Sequence, residues 1–273
     1  MKRFLATVLT VTTLVLASFP ALAQAIAPPG GTSYPLPAVK KPQVDFPERV
    51  LFVGNSLMYY NGGLQTHTHR MALAADAKFK NLKDGFKSLH ITGANLEQYP
   101  IDYMVTPGNL GIKQPFQLAL LAGSAKDPGT PEGVATYKRK VREWDAAMKK
   151  QGGKIALIWL QTFVDKGWDQ ETFRRNGEMV VATANEVGAQ VIPVGLAFEE
   201  AYRRRPDLKL QMGYDGYHPT LAGQYLSAAV VLASLYGQSP VGNSYDYFGA
   251  LDKPTAAFLQ QVAADTVKKF YGQ

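Results

Sequence analysis

The sequence predicts an α/β domain in which a central parallel sheet carries helices on both faces. Three observations carry this. Short apolar runs, Val50-Leu51-Phe52-Val53 and Ile155-Ala156-Leu157-Ile158-Trp159-Leu160, read as strands buried on both sides. Longer charged segments with helical periodicity, 131–150 and 169–187, separate such runs. The two kinds alternate along 273 residues, a length that suits one sizeable domain, and 46% apolar residues can fill its core.

The fold does not begin at the first residue. Lys2 and Arg3 precede an uncharged stretch, Phe4 to Phe19, and Ala21-Leu22-Ala23 supplies the small residues that a signal peptidase requires. Residues 1–23 are therefore expected to be a secretory signal peptide. Ala23-Gln24-Ala25 and Ala25-Ile26-Ala27 are rival cleavage sites. The apolar run is short for a membrane span, and no later stretch is long and apolar enough to form one. The expected location is a bacterial periplasm or the outside of the cell.

Composition narrows the classes further. With no cysteine, the chain cannot use disulfides, a cysteine lipid anchor or a cysteine nucleophile. The formal charge of +7 falls to +5 once Lys2 and Arg3 leave. Basic residues cluster at Lys138-Arg139-Lys140 with Arg142, and at Arg203-Arg204-Arg205. These read as solvated helix faces; attraction to an acidic envelope polymer is the sharper alternative. An export signal argues against nucleic acid as a partner.

Residues 24–47 are rich in proline and glycine and read as an extended leader into a domain over 48–273. The first strand, near 50–53, ends at Gly54. A helix is expected over 64–75, a second strand over 88–92, and a helix over 131–150. The third strand lies within 154–162, followed by a helix over 169–187 and a fourth strand over 190–194. Helices near 197–205, 219–236 and 253–271 complete the chain. In such sheets the ligand site lies beyond the carboxyl ends of the strands, so the loops after Val53, Ile91 and Leu160 should meet.

Two loops carry chemistry. Gly54-Asn55-Ser56-Leu57 directly follows the first strand. A serine there would sit exposed at a strand-to-helix turn, its own N–H facing the site, with a helix N-terminus favouring negative charge. A plain helix N-cap is the structural alternative. Asp215-Gly216-Tyr217-His218-Pro219 is the second loop. Two residues between acid and imidazole let one loop present both, the carboxylate orienting the ring. The other three histidines lack a carboxylate at this spacing. His67 and His69 fall on different sides of a helix and would not chelate a metal together. No metal or cofactor is expected. Tyr59, Tyr60, Trp168 and Tyr217 are candidates to line a cleft, and Trp159 reads as core.

Taken together, these loops resemble the SGNH (GDSL-type) hydrolases, a family of esterases and lipases. In that family a Gly-Asp-Ser-Leu-like motif follows the first strand, and Asp-x-x-His precedes the last core helices. The resemblance spans the mature chain and implies a three-layer flavodoxin-like fold. It implies Ser56 as nucleophile, His218 as base and Asp215 as its partner. Asn55 stands where the family most often has Asp. The family's Gly-x-Asn-Asp block, whose asparagine donates to the oxyanion, is absent. Gln161, after the third expected strand, is the candidate replacement, with a structural glutamine as the alternative. Gly93 matches by position the family glycine whose N–H also faces the oxyanion. The implied activity is hydrolysis of a small-molecule or glycan ester. The rival is a domain of the same type that has lost catalysis and binds a glycan or cell-envelope polymer.

Overall fold

The computed structural model describes residues 35–81, 85–161 and 170–273. The expected signal peptide, most of the leader, Thr162, Trp168 and Asp169 lie outside the described residues. Five strands form one all-parallel sheet in the order β2-β1-β3-β4-β5: β1 Val50–Gly54, β2 Phe86–His90, β3 Leu118–Leu121, β4 Lys154–Ile158 and β5 Gln190–Ile192. The helices are α1 Ser56–Tyr59, α2 Leu64–Ala75, α3 Ile101–Val105, α4 Pro131–Lys149, α5 Gln170–Val187, α6 Val194–Arg204, α7 Leu221–Tyr236 and α8 Lys253–Tyr271. Contacts group α2, α6, α7 and α8 in one layer and α3, α4 and α5 in another.

Burial explains the elements. All five residues of β1 are buried, as a strand covered on both faces requires. It pairs with β2 on one side and β3 on the other, so that Val53 lies level with both Leu89 and Leu121. In α4, Tyr137, Val141, Trp144 and Met148 recur on one face and are buried, while the other face stays charged. Helix α7 is apolar almost all round, and Gly223 through Leu235 are buried. Its N-cap Thr220 Oγ1 accepts the Gly223 N–H at 3.2 Å, and Gly237 closes it in a left-handed conformation.

The structure adds a strand to the four expected. Leu118-Ala119-Leu120-Leu121 forms β3, between β1 and β4 at the centre of the sheet. The boundaries of β2 shift to Phe86–His90, β4 stops at Ile158, and α6 starts at Val194 rather than near 197. Replacing Leu120, fully buried in β3, by alanine is expected to cost about 2–5 kcal/mol. The denaturant midpoint should fall accordingly with the slope unchanged.

Residues 36–43 lie against the start of β5 and the end of α5. Val39 forms a parallel bridge with Gln190, and Gln43 Oε1 accepts the Gln190 N–H at 3.1 Å. Asn185 Oδ1 accepts the Ala38 N–H at 2.7 Å, and its amide donates to Leu36 O at 2.9 Å. The basic clusters are paired with carboxylates: Arg139 with Glu97 and Glu143, Arg142 with Glu186, Arg203 with Glu200, and Arg204 with Glu200 and Asp265. Surface pairs of this kind contribute only about 0–1 kcal/mol each. No helix among the described residues is long and apolar enough to cross a membrane.

Candidate active site

Because every strand runs the same way, the loops leaving β1, β2 and β3 share one edge. The turn after β1 is built around Asn55. Its Oδ1 accepts the Leu57 N–H at 3.2 Å and so caps α1. Its amide nitrogen donates to Ala94 O in the loop after β2 and to Gly123 O in the loop after β3, both at 3.1 Å. One buried amide therefore pins three loops together. An aspartate would place oxygen against two carbonyl oxygens. Asn55→Asp, although it matches the usual family residue, is expected to cost about 3 kcal/mol. A thermal melt checks this.

Ser56 is the first residue of α1, where an N–H has no intrahelical acceptor. The helix is only four residues long, so the expected help from a helix dipole is small. The Ser56 Oγ lies 2.8 Å from His218 Nε2. On the other side of the ring, His218 Nδ1 lies 2.6 Å from Asp215 Oδ2. Asp215 Oδ1 accepts the N–H of Tyr217 at 2.9 Å and of His218 at 3.1 Å. Burial tends to raise the Asp215 carboxyl, but the hydrogen bonds from His218 and the backbone outweigh it, leaving it below the ordinary carboxylate value. Gly216, at φ +61°, lets the loop turn back so that Met212 accepts its N–H at 2.7 Å and donates to His218 O at 2.8 Å.

The remaining expected residues lie as follows. Gly93 is exposed in the loop after β2, at φ +69° with open space around its Cα, one residue before the Ala94 carbonyl that Asn55 holds. Gln161 is buried just beyond β4, and its amide nitrogen has no hydrogen-bond partner among the described residues. Strand β3 lies between β4 and β1, so this amide starts about 10 Å to the side of the serine turn. Tyr59 OH bonds Thr92 Oγ1 at 2.8 Å, across the edge. Tyr60 lies face to face with His218, centroids 4.0 Å apart and planes at 11°. Tyr217 packs its edge against the same ring at 4.9 Å. Trp159 is core, stacked on Phe173.

One site residue had no sequence signal. Asp127 is buried in the loop after β3 and accepts the Ser124 N–H at 2.7 Å. A Cβ on Gly123 would come within 2.8 Å of its Oδ2, so it packs against the residue whose carbonyl Asn55 grips. Burial pushes its carboxyl up to about 6, against the pull of that N–H. The negative charge of Asp127 in turn adds to the burial that pushes Tyr217 up to about 12. A carboxyl raised on folding stabilises below its unfolded pKa of about 4, and that contribution is lost as pH rises through about 6. Asp127→Asn should therefore remove about 2–3 kcal/mol of stability loss between pH 4 and 7. Parallel melts across that range, parent against variant, measure it.

No protein-family model matches the chain, and no curated protein matches it. Solved structures do. A catalytic mutant of an acetylxylan esterase from Geobacillus stearothermophilus is similar over 72% of this chain and 96% of its own, with 14% identity and a TM-score of 0.53. A protein classed as a GDSL-like lipase, from Parabacteroides merdae, matches over 74% and 99%, with 18% identity and a TM-score of 0.53. A protein classed as an SGNH hydrolase, from Slackia heliotrinireducens, matches over 68% and 98%, with 19% identity and a TM-score of 0.50. At these identities the likeness is one of fold: the chain has the α/β fold of SGNH hydrolases.

Proposed function

We propose that this chain, built on the SGNH-hydrolase fold, is a serine esterase that cleaves an acyl ester through Ser56, His218 and Asp215. One observation supports it above the rest. Residues 162 positions apart meet with Ser56 Oγ 2.8 Å from His218 Nε2, while Nδ1 of the same ring lies 2.6 Å from Asp215. A domain kept only to bind a glycan has no need of that line of three groups.

The chemistry follows from the distances. Asp215 accepts a hydrogen bond from the Nδ1–H and keeps the proton on that nitrogen, so Nε2 is the free base. Nε2 takes the Ser56 proton as Oγ attacks the acyl carbonyl. The tetrahedral oxyanion forms beside the N–H groups of Ser56 and Gly93. His218 passes the proton to the leaving alcohol as the carbon–oxygen bond breaks. Water then attacks the acyl carbon while giving a proton to His218, and His218 returns that proton to Ser56 Oγ as the acyl–Oγ bond breaks and the acid leaves.

An acylated carbohydrate is the substrate class we favour, since an acetylxylan esterase shares the fold. Export to the periplasm or beyond rests on the sequence of residues 1–23. The test is labelling by a fluorophosphonate, followed by hydrolysis of p-nitrophenyl acetate and of acetylated xylo-oligosaccharide. Labelling that Ser56→Ala removes, with turnover of the short ester, is expected. A folded parent that neither labels nor turns over ester would reject the esterase reading in favour of a binding module.

A further inference from the structure

Four non-glycine residues among those described adopt positive φ, and three of them, Asn61, Tyr247 and Phe248, gather around the contacts of one buried histidine. His67, in the first turns of α2, is 1% exposed. Its Nε2 lies 2.7 Å from the Asn61 carbonyl. A carbonyl only accepts, so Nε2 carries the proton. Nδ1 then accepts from Tyr245 OH, 2.5 Å away in the loop between α7 and α8. The Tyr247 ring stacks on the imidazole at 4.1 Å. Burial lowers the affinity of His67 for a second proton, against the pull of the Asn61 carbonyl.

What His67 holds is the turn Tyr60–Gly62. A Cβ on Gly62 would lie 2.7 Å from His67 Nε2, so the turn rests directly on the ring. Asn61 has φ and ψ both near +49°. Glycine meets such a backbone at less cost, yet asparagine stands here, and its amide donates to the Pro219 carbonyl at 2.7 Å. Pro219 follows His218 directly. The neighbouring Tyr60 ring lies flat on the His218 imidazole. Two adjacent residues of the turn therefore bear on the His218 loop, Tyr60 on the ring itself and Asn61 on the backbone just after it.

We propose that His67 is a positioning residue: it fixes the turn Tyr60–Gly62, which holds His218 in line with Ser56 through the Asn61 amide and the Tyr60 ring. This rests on the esterase reading above, because it gives His218 something to be aligned for. A histidine that merely fills the core would leave reaction rates alone once the fold is intact.

The experiment compares parent, Asn61→Gly, His67→Gln and His67→Leu by fluorophosphonate labelling rate, kcat and KM on p-nitrophenyl acetate, and thermal melt. Asn61→Gly keeps the backbone conformation and loses the Pro219 tether. Its labelling rate and kcat should fall about 10–100-fold, with KM within about twofold. His67→Leu should fall alike. His67→Gln can donate to Asn61 O and accept from Tyr245 OH, and should stay within about threefold of the parent. Parent-like labelling by folded Asn61→Gly and His67→Leu overturns the proposal and leaves the esterase reading standing. So does a loss carried by KM. If His67→Leu fails to fold, Asn61→Gly and His67→Gln decide by the same criteria. A folded parent that does not label overturns the esterase reading, and this inference with it.

Discussion

Replacing Ser56 by alanine is expected to lower kcat on p-nitrophenyl acetate by about 10⁴–10⁶-fold while the protein stays folded. The hydroxyl is the group that carries the acyl in the proposed reaction, so nothing nearby substitutes for it. Stability should barely change. The side chain is small, and its one hydrogen bond among the described residues runs to His218, worth about 1 kcal/mol net. Far-UV circular dichroism and a melt within a few degrees of the parent would separate lost chemistry from lost structure. Equal rates in parent and variant would remove Ser56 from the mechanism.

Asp215→Asn should be nearly as severe, about 10⁴-fold in kcat, for a different reason. The carboxylate uses Oδ1 for two backbone N–H groups and Oδ2 for His218 Nδ1. Asparagine keeps the first oxygen and turns an amide N–H₂ toward the ring. Nδ1 must then accept, so the ring proton moves to Nε2. An Nε2–H donates to Ser56 Oγ instead of taking its proton, and the base is lost with the geometry intact. KM should change little, and the circular dichroism spectrum should match the parent. A loss of less than about tenfold would mean that Asp215 serves the loop rather than the reaction.

How much was legible in the sequence follows local chemistry. Strand β1 announces itself as a buried apolar run that ends at glycine, and α2 and α8 appear at the expected bounds. Strand β3 does not. Leu118-Ala119-Leu120-Leu121 has no β-branched or aromatic residue, and Leu and Ala both favour helix. It is a strand because β1 and β4 flank it and both its faces are buried, which no four-residue window reveals. Missing it hid the loop that supplies Gly123 and Asp127, and left Gln161 as the one visible amide for the oxyanion.

The site divides the same way. The serine loop and the Asp-x-x-His loop could be read because their residues are close in sequence. Asn55 was visible only as a departure from a motif; its reason lies in carbonyls 39 and 68 positions away. His67 could be rejected as a chelator from its spacing to His69, but its true partners, at 61 and 245, gave no local pattern.

The bridge from Val39 to Gln190 bears on how the molecules behave toward one another. Strand β5 ends the sheet, and its outer amides and carbonyls would otherwise be open to the matching edge of a second molecule. Val39 occupies that position at Gln190 and the Gln43 side chain caps the Gln190 N–H, so each copy blocks the start of its own edge against edge-to-edge stacking and aggregation.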